Sequence, residues 1–295
     1  MAEADPARER RIGLACAILL IIVWAGFHVA ARLGSSQQLT PWDMGALRMG
    51  GAFAGGLVLL LWFRPPRLPL PRALALAATA GFGFPLFAYA GYVFAPAAHG
   101  AVLMAGVLPF ATAILASLFL AERFTARQGA ALVAVGAGAA LLGADMWGDH
   151  PGAWKGDLLF LCAILSWAVF TLLIRRWRVP PMEGTLTVAL WCAPAYLPLW
   201  WWLLPSTLGE APAGAVAFQA VWQGLAAVIV AGFLFALAVK ALGPVTTTTI
   251  TAAVPPVAAL AAWPLLGEAL GPLGLAGVTV AAAGMALGVG GPARR

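Results

Sequence analysis

Apolar residues run in long stretches along this chain, separated by brief polar or proline-rich interruptions. A helix that crosses the hydrocarbon core of a bilayer needs about 20 mostly apolar residues. Ten stretches fit: 12–31, 43–63, 72–94, 99–120, 127–144, 156–174, 182–204, 215–239, 245–266 and 272–289. The interruptions are short, among them Arg64-Pro65-Pro66-Arg67, residues 148–156, Val179-Pro180-Pro181 and Gly243-Pro244. None can hold a soluble domain, so the pattern predicts an all-α membrane protein with ten transmembrane helices. The first stretch follows Arg8, Arg10 and Arg11, as in a signal peptide, but its apolar run is too long for one and a copy recurs later in the chain.

Basic residues predict the orientation, because cytoplasmic loops carry the excess of lysine and arginine. With the N-terminus in the cytoplasm, all but three of the 17 basic residues fall in inner segments. The exceptions are Arg32 and Lys155 on the outer side and Arg48 within the second span. An even number of spans returns the C-terminal Arg294 and Arg295 to the cytoplasm, so both termini are expected inside. Segment 148–156, flanked by Asp145, Asp149 and Asp157, is then outside.

Composition agrees with the spans. Hydrophobic residues make up 62% of the 295 positions and charged residues 9%, where a soluble domain carries roughly a quarter charged. The net charge of +6 does not point to nucleic acid, because the basic residues sit in short clusters between apolar runs rather than in one stripe. Cys16, Cys162 and Cys192 are odd in number, far apart and inside apolar runs, and read as small buried residues. The expected partners are the lipid bilayer and a small-molecule substrate, with no nucleic acid, no cofactor and no metal, in a monomer or weak homodimer.

The chain also contains itself twice. Residues 105–122 (AGVLPFATAILASLFLAE) match 251–268 (TAAVPPVAALAAWPLLGE), aligning Pro109 with Pro255, Glu122 with Glu268 and, further on, Gly138 with Gly284. Residues 13–27 match 156–170, aligning Gly13 with Gly156, Trp24 with Trp167 and Phe27 with Phe170. Two repeats, 1–148 and 149–295, each hold five spans. An odd number of spans inverts the second copy, an arrangement typical of transporters with a substrate site near the midplane between the halves.

These residues carry a resemblance. Trp24-Ala25-Gly26-Phe27 with Trp167-Ala168-Val169-Phe170, and the repeated proline-x12-glutamate element followed by Gln128, Gly138, Gly277 and Gly284, are similar to the EamA-type group of the drug/metabolite transporter superfamily. Ala131 departs from the pattern, where the second copy has Gly277. The resemblance covers essentially the whole chain. It implies export of amino acids, metabolites or toxic compounds from a bacterial inner membrane. It also implies a cavity surrounded by helices 1, 3, 4, 6, 8 and 9, with helices 5 and 10 outside.

Polar and aromatic side chains deep in the spans are the candidates for substrate contact, because polar groups there are costly unless they serve something. Trp24 and His28 share a face at i, i+4, and Trp167 and Thr171 are the corresponding pair. Phe82, Pro85, Tyr89 and Tyr92 form a stripe at helical spacing. In 246–251 (TTTTIT), Thr247 and Thr251 face one way. Packing between helices, or for threonines a bond to their own i−4 carbonyls, competes with cavity lining at each position. Pro109, Pro255 and Pro256 lack amide hydrogens and are expected to break their helices near the site. Arg48 is expected to snorkel outward past Asp43, with a substrate carboxylate as the other reading. Gln219 and Gln223 are placed at an outer vestibule, and His99 at the interface.

None of the 11 carboxylates falls in a span centre, which favours uncoupled transport or coupling through His28. The chain lacks a phosphate-binding loop and the short signatures of intramembrane hydrolases, so no enzymatic activity is expected. An aromatic-rich cavity without carboxylates suits neutral and aromatic amino acids; other metabolites or lipophilic drugs are the alternative.

Overall fold

The computed structural model describes residues 6–64, 67–120, 126–145 and 152–289. Pro65, Pro66, Glu122, Arg123, Asp149, Arg294 and Arg295, used above, lie outside them. Among the described residues the chain is helical, without strands. The helices are α1 Pro6–Ser36, α2 Pro41–Leu59, α3 Leu70–Phe94, α4 Ala97–Leu120, α5 Ala126–Asp145, α6 Ala153–Trp177, α7 Pro181–Leu203, α8 Ala213–Leu242, α9 Pro244–Thr251, α10 Val254–Leu266 and α11 Pro272–Val289. Seven of them, α1 and α3 to α8, are long and apolar enough to cross a membrane; the apolar stretches in α10 and α11 are shorter.

Two departures from ten unbroken helices follow from local chemistry. As Pro255 and Pro256 lead us to expect, the stretch 245–266 is not one helix: Ala252 and Ala253 form a turn between α9 and α10. Pro255 and Pro256 open α10, where a missing amide hydrogen costs least because first-turn donors have no intrahelical acceptor. At the matching Pro109, α4 continues without interruption. The second departure is that α3 and α8 each contain a π-helical segment, Ala77–Gly83 and Ala220–Val230. The Phe84 amide reaches back five residues to the Thr79 carbonyl, and the Ala231 amide to that of Ala226. These segments lie at corresponding places in the two repeats.

Corresponding helices of the two halves run antiparallel against each other. In α5 and α11, Gly138 faces Gly277 and Ala281, while Gly284 faces Ala131 and Ala134. In α4 and α10, Ala98 clusters with Ala259 and Ala101 with Val254 and Ala258. The halves also exchange partners: α1 packs Gly13 on Ala241 and Leu242 of α8, and α6 packs the matching Gly156 on Gly91 and Ala95 of α3. Small residues permit these approaches, as in membrane helix pairs generally.

The exterior is apolar, with Leu61, Trp62, Val133, Trp201, Trp202 and Leu203 all exposed. An apolar surface of this extent needs lipid around it. Cys16 and Cys192 are buried as expected, but Cys162 is exposed on this surface, because its position on α6 turns away from α3 and α4.

A β-carbon added at Gly138 would sit 2.5 Å from the Gly277 carbonyl oxygen and 2.8 Å from the Ala281 nitrogen. Backbone atoms cannot rotate aside. Gly138→Leu is therefore expected to destabilise the protein by about 1–3 kcal/mol, read as a lower unfolding temperature in detergent. Gly136→Leu, with nothing within 4 Å, should leave that temperature near the wild-type value.

Candidate functional site

On α1, His28, Arg32 and Ser35 recur at steps of four and three and so share one face. All three meet Tyr92 of α3. His28 Nδ1 and the Tyr92 hydroxyl are 2.5 Å apart; Arg32 donates to the Tyr92 carbonyl at 2.7 Å and Ser35 at 3.1 Å. Histidine and tyrosine are almost fully buried. A buried imidazole or phenol without a partner would carry an uncompensated desolvation cost, and here each supplies the other.

The facing wall comes from the second half. Gln219 and Gln223, one turn apart on α8, have no exposed surface. Gln219 donates to the Ala30 carbonyl at 2.7 Å, and Gln223 to the Phe27 carbonyl and to Gln219 at 3.4 Å. The Tyr89 hydroxyl donates to Gln223 Oε1 at 3.0 Å. Phe27 lies at the middle of this group, with ring centroids 5.2 Å from His28, 6.1 Å from Phe84 and 6.2 Å from Tyr89.

Arg48 completes the cluster and overturns the snorkelling expectation. Its guanidinium turns inward, donating to the Gln223 carbonyl at 3.1 Å and lying 5.6 Å from the Phe27 ring centroid and 6.0 Å from that of Phe84. The acceptor belongs to the π-helical segment of α8, and the guanidinium reaches it from another helix. The other π-helical segment behaves alike: Ser166 of α6 donates to the Thr79 carbonyl at 2.9 Å. In each case a side chain from one half takes up a carbonyl of the other.

Asp43 does not draw Arg48 outward because its oxygens are already taken. They accept from Trp200 Nε1 at 3.0 Å, the Ser206 hydroxyl at 2.6 Å and the Thr207 amide at 3.0 Å. Thr40 and Asp43 also close a capping box at the start of α2. A second knot ties the halves at the same end of the molecule. Glu268 accepts from Arg32 at 2.7 Å and from the Ala97 amide at 2.9 Å, joining α1, α4 and the segment after α10. His99 is not merely interfacial: it is buried, with Nδ1 2.9 Å from Asp157 of α6.

Of the residues expected to bind substrate, the fold brings His28, Tyr89 and Tyr92 together. Trp167 stands one ring away, 4.7 Å from Phe84 and 5.2 Å from Phe170. Trp24 turns instead toward Phe235 of α8, at 5.9 Å, and shares no ring contact with Trp167. Phe82 leaves the tyrosine stripe and packs 5.9 Å from Tyr196 of α7, because the wider π-helical turns shift its face. Thr171 and Thr247 bond their own helix, to the carbonyls of Trp167 and Gly243, both at 2.9 Å. Thr251 is the last residue of α9. Gln219, Gln223, Arg32 and the inward Arg48 were the residues that sequence reasoning undervalued. The i, i+4 glutamines inside an apolar span were the available signal.

Comparison with known proteins gives this architecture a family. The chain matches the EamA-like transporter family twice, over residues 11–144 and 154–289. It belongs to that family. It is 27% identical over 286 residues to a protein of Streptantibioticus cattleyicolor named "Probable terminal-alkyne amino-acid exporter", covering 92% of this chain and 91% of that one. It is 26% identical over 197 residues to a "Probable amino-acid metabolite efflux pump" of Salmonella typhimurium, covering 66% of this chain and 63% of that one. A solved crystal structure superposes with a TM-score of 0.66 over 93% of this chain and 95% of its own, at 21% identity, a likeness of fold.

Asp43→Ala would strip the acceptor from Trp200, Ser206 and Thr207 at once. Of these donors Trp200 is buried, while Ser206 and Thr207 reach solvent; stranding the indole N–H costs about 1–3 kcal/mol, so the folded yield by gel filtration should fall. Asp43→Asn keeps an acceptor oxygen and should fall between this variant and the wild type.

Proposed function

We propose that this protein exports small neutral or aromatic amino acids across a bacterial inner membrane by alternating access. In this reading the chain makes ten crossings, α9 and α10 together forming one and α2 another. Residues 1–148 and 149–295 are two inverted repeats, with both termini in the cytoplasm. The chain works as a transporter and not as an enzyme.

One observation carries the reading: a buried cluster of polar and aromatic side chains built jointly by the two halves. His28, Arg48, Tyr89 and Tyr92 come from the first repeat, and Gln219 and Gln223 from the second. Polar groups at membrane depth are costly, and their concentration at one interface marks a solute path. The antiparallel run of corresponding helices supports the inversion, as do the matched π-helical segments and the basic residues of the loops. The names of the two relatives support amino-acid export. Trp167, Tyr89 and Tyr92 are the aromatic contacts in this account. Trp24, Phe82, Thr171, Thr247 and Thr251 support the walls around them.

Counterflow in proteoliposomes tests the function. Purified protein should accelerate exchange of labelled neutral and aromatic amino acids. Trp167→Ala should reduce exchange per folded molecule about tenfold, equivalent to ~1.4 kcal/mol. No exchange of any amino acid by folded protein would contradict the reading. Cysteines placed at Ala269 and Arg178, in a variant without native cysteines, test the topology. The first should react with an impermeant reagent from outside and the second only after permeabilisation; the reverse pattern would overturn the orientation.

A further inference from the structure

We propose that Arg48 is the anchor for the carboxylate of the transported solute, so that the site selects molecules carrying a free carboxylate beside an apolar or aromatic group. The inference rests on the transport reading above and adds the chemistry of recognition. Arg48 is buried on α2, seven residues from Pro41, or about 10 Å along the helix axis. Among the described residues no carboxylate lies within 4 Å of its guanidinium. Asp43, the acid on the same helix, is held by Trp200, Ser206 and Thr207.

The contacts of the guanidinium are all with uncharged groups. One N–H reaches the Gln223 carbonyl, the Tyr89 hydroxyl stands alongside, and the rings of Phe27 and Phe84 take up the cation. Arginine has five donors in a planar fork that matches a carboxylate. A buried cation without a counter-ion is costly, and the cost is met when a ligand supplies the anion. The surroundings suit the rest of an amino acid. Phe84 and Trp167, packed 4.7 Å apart, place aromatic surface beside the guanidinium for an apolar side chain. The amide oxygens of Gln219 and Gln223, each accepting one hydrogen bond here, keep a lone pair for an ammonium group. The cluster is closed in this conformation, so the solute enters when one end opens.

The test compares alanine, leucine and phenylalanine with their C-terminal amides, which keep the ammonium and side chain but lack the charged carboxylate. Binding to detergent-purified protein is read by titration of the unfolding temperature. Wild type should bind at least one amino acid about tenfold or more tighter than its amide, a gap of ~1.4 kcal/mol. Arg48→Met and Arg48→Gln should reduce that ratio to near one while eluting as folded protein. Wild type binding acids and amides alike would overturn the anchor, whatever the variants do. So would a folded variant that keeps the preference, which would make Arg48 a structural tie between α2 and α8. If wild type binds and exchanges neither acids nor amides, the amino-acid reading itself fails. That outcome is distinct from loss of the carboxylate preference alone.

Discussion

Lipid offers no hydrogen bonds, so each buried N–H, carbonyl and charge in a membrane-embedded chain must find its partner within the protein. Here the two halves supply partners for each other. The π-helical turns of α3 and α8 present the carbonyls of Thr79 and Gln223 to the other half, and Ser166 and Arg48 reach across to them. Gln219 and Gln223 add bonds to the carbonyls of α1. Glu268 holds Arg32 and the Ala97 amide at one end. The polar chemistry of the molecule therefore lies on the seam between the halves, and the lipid-facing surface is left to leucine, valine and tryptophan.

In the proposed cycle, a seam of this kind gives both rigidity and a route. Each helix is stable by its own backbone bonds, so one end can open by exchanging contacts across the seam without unfolding a helix. The Arg32–Glu268 pair and the bond from the Arg67 amide to Glu183, 2.9 Å long, lie at opposite ends of the molecule. In that cycle, the rings of Phe27 and Phe84 between them can meet a solute without stranding a polar atom.

Most of the helices were legible in the sequence because apolar length is a local property. The duplication was legible because Pro109 and Pro255, and Trp24 and Trp167, recur in step. The turn at Ala252–Ala253 was foreshadowed by Pro255 and Pro256, although the break expected at Pro109 does not occur. The π-helical segments were not legible: their lateral partners, such as Ser166 for the Thr79 carbonyl, lie elsewhere in the fold, and no window of residues contains both. His28, Tyr89 and Tyr92, singled out by helical spacing, meet in one buried cluster, while Phe82 does not join it because a π turn breaks that spacing. Arg48 was misjudged for a different reason. The snorkelling rule assumes that a span arginine faces lipid and seeks the nearest interface. Here α8 lies beside α2 with the Gln223 carbonyl in reach, and the nearby acid is already occupied. The threonines of 246–251 looked polar by composition, but a Thr247 bonded to its own helix needs no cavity.

Alternating access requires the seam to open at one end while it closes at the other. Pulsed EPR distances between spin labels measure this directly, with one pair at Ser36 and Ala269 and another at Arg67 and Arg178, all exposed positions. On addition of a transported amino acid to protein in nanodiscs, the two distance distributions should shift in opposite senses, one pair gaining separation as the other loses it. Distributions that do not respond, or that widen together, would contradict alternating access between the halves.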